Sequence, residues 1–133
     1  MTNPSPQSNL EENKRMLIRW FEEVWNQGRR ETIKELFAAE CVLHDGMNTF
    51  HGPAEFMQFH DRLCGEFSGF VIKPIHALAE GDLSCLHWAA EFRHTGRGKP
   101  VRITGTSIVR IKDGKFVEAW QNWDAEGLAR QLA

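Results

Sequence analysis

The chain contains no tyrosine, so it has no phenolic hydroxyl to use as an acid or a hydrogen-bond donor. Cysteine is scarce and odd in number: Cys41, Cys64 and Cys85 stand far apart, each among apolar residues. That argues against a disulfide framework and for buried, reduced thiols. No apolar run reaches the roughly 20 residues that cross a bilayer. A net charge of −2, with acids and bases interspersed, offers neither a track for nucleic acid nor a polybasic face for a membrane. A phosphate-binding glycine loop, a nucleophile elbow and any His, Cys or acidic pair at metal-ligand spacing are also missing; "HDGMNTFH" reads as a loop. These absences predict a cytoplasmic protein without metal or cofactor.

What remains is enough for one domain with its own core, since 133 residues need no staple. The opening "MTNPSPQSNLEENK" is polar and rich in Pro, Ser and Asn. Residues 1–10 are therefore expected to form a disordered tail rather than a secretory leader, and residues 11–133 a single domain. Leu17, Phe21, Val24 and Trp25 recur at helical spacing over residues 9–27, and Gly28 supplies a stop. A second helix is expected over residues 31–39, a short strand at "CVLH", and a third helix opening at Pro53.

From Gly69 the pattern changes to strands: "FVIKPIHALAEGD", "LSCLHWAAEFRH", "PVRITGTSIVRI" and "KFVEAWQNWD". Pro74 marks the first of these as an edge or a bulge. The terminal "AEGLARQLA" reads as a loose helical turn. Helices first and antiparallel strands later give an α+β class, with helices on one face of a curved sheet.

"RWFEEVWNQG", "ELFAAECVLHD", "HGPAEF", "FRHTG" and "SIVRIKDGKFVEAWQNWD" stand in this order along the chain. Together they resemble the SnoaL-like proteins of the nuclear transport factor 2-like superfamily, over nearly the whole length. The resemblance implies a cone: a strongly bent antiparallel sheet wrapped around N-terminal helices, with an apolar pocket inside. It also implies homodimers joined through the outer face of the sheet. The founding enzymes of the family are cofactor-free polyketide cyclases that close a ring by intramolecular aldol condensation. Counting from "DGK", their catalytic aspartate falls on Gln121, their pocket histidine on Ser107 and a pocket glutamine on Gly105. Ketosteroid isomerase and scytalone dehydratase relatives use tyrosine hydroxyls, which this chain lacks. Limonene epoxide hydrolase relatives use an Asp-Arg-Asp set that Arg102 and Asp124 match in part.

Which residues of the last strand face the pocket depends on the turn before it. Asp113-Gly114 can form a two-residue turn, or Lys112-Asp113-Gly114 a three-residue loop. The two-residue turn places Glu118 opposite Val109 on the core side, an expensive burial. The three-residue loop pairs Ile111 with Lys115, Gly105 with Gln121 and Arg102 with Asp124, and is the expected form. It turns Val117, Ala119, Gln121 and Trp123 inward and leaves Trp120 exposed, as suits a dimer interface.

Gln121 hydrogen-bonds but cannot carry a proton near neutral pH. Of the six histidines, His44 is the candidate proton carrier. It ends a strand beside Asp45, where the family pattern often has a histidine at the cavity mouth; the alternative is a structural histidine bonded to loop backbone. His94 reaches the mouth or ties down the next turn. Trp88, Ser107 and Trp123 join Asp45 and His94 as expected substrate-binding residues. The leading reading is a cofactor-free cyclase, isomerase or lyase acting by acid–base catalysis on a small apolar or aromatic, cyclic or ketone-bearing molecule. A non-catalytic carrier or sensor, and a dimerisation module with a filled cavity, are the alternatives.

Overall fold

The computed structural model describes residues 6–133; residues 1–5 of the expected tail lie outside them. Helix α1 (Pro6–Trp20) continues directly into a π-helical segment (Phe21–Asn26). There the ladder steps over five residues, with the Gln27 N–H donating to Glu22 O at 3.0 Å. The wider turn points Phe21, Val24 and Trp25 into the core and frees the Val24 carbonyl, which accepts from His60 Nε2 at 2.9 Å. Helix α2 (Glu31–Leu36) is shorter than its helix-forming sequence suggests. Its successor β1 (Phe37–Asp45) begins where pairing of Phe37 with Phe116 overrides that propensity.

The expected loop after β1 contains a strand. Asp45 pairs with Asn48 across Gly46-Met47, and β2 (Asn48–His51) runs antiparallel to β1. Helix α3 (Gly52–Glu66), with proline in its first turn, follows. The long strands are β3 (Phe67–Glu80), β4 (Leu83–His94), β5 (Pro100–Lys112) and β6 (Lys115–Trp123), and α4 (Ala125–Leu132) closes the chain as a regular helix. They form one sheet in the order β2-β1-β6-β5-β4-β3, antiparallel except for the parallel β1–β6 pair. β3 is an edge strand, and its register slips between Pro74 and His76. The helices fill the concave side: Trp20 meets Phe56, Phe116 and Phe37 at 5.0, 5.5 and 5.8 Å between ring centroids.

The β5–β6 turn differs from the expected one. Asp113 and Gly114 both have positive φ, 53° and 74°, and Lys112 pairs with Lys115 in a two-residue turn. Glu118 nonetheless stays out of the core. Ile111 pairs with Phe116 but Arg110 pairs with Glu118, so Val117 is an extra residue that resets the alternation. Phe116 takes the buried place expected of Val117. Beyond the bulge Ser107 opposes Gln121 and Gly105 opposes Trp123. This is two residues from the expected pairing, so Ala119, Gln121 and Trp123 still face inward. Arg102 pairs with Glu91 at 3.1 Å instead of Asp124, which caps α4 by accepting from the Gly127 N–H at 2.9 Å.

Candidate functional site

The inner face of the sheet carries one transverse row. Ser107 on β5 stands opposite Gln121 on β6, which stands beside Asp45 on β1. A chain of hydrogen bonds follows this row. Trp88 Nε1 donates to Ser107 Oγ at 3.1 Å, and the hydroxyl donates to Gln121 Oε1 at 3.4 Å. The Gln121 amide nitrogen is thereby left on the side of its register neighbour Asp45, and it helps to hold down the pKa of that carboxyl. From the other side Trp123 Nε1 donates to Asp45 Oδ1 at 3.0 Å. Every donor runs toward the carboxylate, the one member of the row that only accepts when ionised.

Gly105 makes room for this arrangement. It lies opposite Trp88, and a Cβ built there would come within 2.3 Å of the indole. Gly105→Ala should therefore drive Trp88 off its hydroxyl partner and lower stability by about 1–3 kcal/mol. Chemical denaturation measures the loss, and a changed near-ultraviolet tryptophan dichroism would mark the displaced indole. Unaltered dichroism would contradict this account.

Above the row is a cavity of about 70 Å³, walled almost wholly by aromatic and aliphatic side chains. Phe21 and Trp25 come from the π-helical segment, Phe59 and Leu63 from α3, Trp88 and Phe92 from β4, and Leu128 from α4. Gln121 is the polar side chain in that wall. Asp45 stands beside it and behind Trp123, whose indole bonds it, and is 6% exposed. Burial raises its carboxyl above the usual carboxylate range, and the Trp123 and Gln121 donors oppose that rise in part.

His44 is on the other side of the sheet. Its Nε2 lies 2.8 Å from Glu118 Oε2 and its ring stacks on Trp120 at 5.8 Å. In a strand neighbouring residues face opposite ways. Cys41, Leu43 and Asp45 point inward, so His44 points out. That alternation was legible in "CVLHD" and would have exchanged the parts given to His44 and Asp45. Trp120, expected exposed, is half-buried under the imidazole. His94 ties down the β4–β5 turn, with Nδ1 accepting from the Arg97 N–H at 3.2 Å and Nε2 lying 3.8 Å from Glu66.

His60, given little weight from sequence, is buried under Trp25, and burial lowers its pKa. Its bond to Val24 makes it a clasp between α3 and the π-helical segment. Cys41 is buried, its thiol pushed up to about 12 by burial and by Glu40 and Glu118, whereas Cys64 is exposed, against expectation. Among the described residues no group of three or more His, Cys, Asp or Glu could hold a metal ion. Among the same residues no helix is long and apolar enough to cross a membrane.

The sequence profile of the SnoaL-like domain matches residues 17–129. No curated protein matches the chain. Its structure superimposes on a proposed SnoaL-like polyketide cyclase from Jannaschia sp. CCS1 with a TM-score of 0.86 at 18% identity, covering 98% of this chain and 96% of that one. A proposed hydroxylase from Streptomyces galilaeus gives 0.80 at 20% identity, covering 92% and 96%. An LEH-like epoxide hydrolase from M. tuberculosis gives 0.76 at 17% identity, covering 93% and 94%. At these identities the likeness is one of fold, and the three names span different reactions.

Proposed function

The chain belongs to the SnoaL-like domain family, and from that premise we propose that it binds a small, neutral, largely apolar ring compound and moves a proton on it. The observation that carries this reading is the row of Ser107, Gln121 and Asp45, which shows Gln121 to the cavity and sets buried Asp45, held by Trp123, beside it. Among the described residues no cation walls the cavity, so a carboxylate or phosphate would enter without a partner. A carbonyl oxygen facing Gln121 would receive its amide N–H, as would the enolate oxygen formed when a neighbouring C–H is deprotonated. Asp45, rather than the outward His44, is the base in this scheme. Its raised pKa suits a group that both takes and returns a proton.

The test uses cyclohexanone and 2-tetralone in deuterated water, with NMR following exchange of the hydrogens beside the carbonyl. Exchange accelerated by the protein supports proton transfer. Tight binding without exchange would support a carrier or sensor, a reading favoured by the position of Asp45 behind the cavity wall instead of in it.

The same proposal includes a homodimer through the outer face of the sheet. Leu78, Cys85, Ile108 and Trp120 pair successively across four strands into one row, which His44 extends onto β1. Leu78 and Ile108 are exposed there, with Val71 and Ile75 nearby on β3. An apolar row of this length in water is what a second copy would cover. Trp120→Glu is expected to halve the mass seen by light scattering at micromolar concentration. A wild-type chain that is already monomeric there would remove the proposal.

A further inference from the structure

The cavity, about 70 Å³, is smaller than the roughly 150 Å³ in which an engineered protein interior holds benzene, so a ring fits inside it only if a wall yields. Most of the walls are fixed. β3, β4, β5 and β6 are held by their ladders, α3 packs on β1, β2 and β3, and the π-helical segment packs on β3. Helix α4 differs, since it lies against β5. At this end β5 has outrun β6, whose last pairing is Trp123 with Gly105, so the Arg102 backbone lacks a strand on that side. The Gln131 side chain fills the place. Its Oε1 accepts from the Arg102 N–H at 2.9 Å, and its Nε2 donates to Arg102 O at 2.7 Å. Arg97 adds one bond to Leu132 O, and the Asp124 cap, which needs glycine at position 127, fixes the helix start. Between cap and latch, Leu128 projects into the cavity wall.

We propose that α4 is the cavity's movable wall, that Leu128 sets the size of ring the site accepts, and that the Gln131 amide is the latch that holds α4 against β5. The proposal rests on the reading of the cavity as a ligand site. Opening exchanges the Gln131 and Arg97 bonds for bonds to water and uncovers Leu128 and Leu132, but it breaks no ladder of the sheet. Truncating Leu128 removes three carbons from the wall without touching the row from Trp88 to Asp45.

Phenol, 2-naphthol and 9-phenanthrol form a graded series of neutral rings with one hydroxyl, and Trp25, Trp88 and Trp123 in the wall report their binding by fluorescence. Wild type should favour the smaller rings. Leu128→Ala should tighten 9-phenanthrol at least tenfold relative to phenol, and Leu128→Met, of similar volume, should keep the wild-type order. Gln131→Ala should speed association and dissociation by several-fold with little change in size preference. Matching far-ultraviolet dichroism will show that the variants are folded. An unchanged size order in Leu128→Ala, with wild type binding the series, overturns the movable wall and leaves the cavity reading intact. Failure of wild type and every variant to bind any ring overturns both.

Discussion

Asp45→Asn is expected to slow exchange of ketone α-hydrogens by roughly 10²–10⁴-fold, the usual worth of a positioned acid or base. The substitution changes little else. The oxygen of the introduced amide still accepts from Trp123. A flipped Gln121 can accept from its nitrogen and donate to Ser107, whose hydroxyl takes two donors. His44→Ala, acting on the outer face, should leave exchange unchanged. Wild-type exchange should rise with pH through the Asp45 pKa, held by burial above the ordinary value of about 3.9, and then level off. Equal rates for wild type and Asp45→Asn would remove Asp45 from the chemistry.

The same variant carries a stability signature of definite sign. A carboxyl whose pKa is raised by folding binds more protons in the native state than in the unfolded one. Stability from this group is full below the unfolded pKa and falls as pH rises through the native one. Asp45→Asn should therefore melt higher than wild type at pH 7, and the gain should vanish below about pH 4. A purely structural carboxylate, with its pKa depressed by its donors, would give the opposite sign.

Phe116→Ala should destabilise the fold by about 3–5 kcal/mol, against under about 1 kcal/mol for Val117→Ala. The contrast follows from the bulge. Phe116 is 1% exposed and its ring meets Trp20, whereas Val117 occupies the extra position between two pairings. A total stability of roughly 5–15 kcal/mol makes the first change visible as a large drop in urea midpoint. In the three-residue loop anticipated from sequence, Val117 would be the core residue and the two effects would exchange rank. Measured midpoints in that reversed order would refute the bulge.

Much of the architecture could be read from local pattern. The alternation of Leu86, Trp88, Ala90 and Phe92, and of Val101, Val109 and Ile111, set the faces of β4 and β5 because each residue is judged against its own neighbours. The errors lie where a distant partner decides. The start of β1 reads as helix until Phe116 pairs with Phe37, and "NTFH" reads as loop until β1 lies beside it. The two-residue turn looks too costly over Glu118, because a strand that absorbs one residue to keep an acid in water leaves no mark in composition. Of the site, Trp88, Ser107, Gln121 and Trp123 meet on the inner face, while His44 fails by one position of alternation.

The bulge at Val117 also bears on how such chains are compared. A strand with one residue to spare can lose or gain it without turning its neighbours over. The distance from the "DGK" turn to the cavity-facing positions of β6 can therefore differ by one in a chain that keeps the same inward set. Homology along this strand is defined by the side of the sheet a residue occupies. Gaps in an alignment belong at the position of Val117, and a count from the turn that ignores them assigns a cavity residue of one protein to the outer face of another.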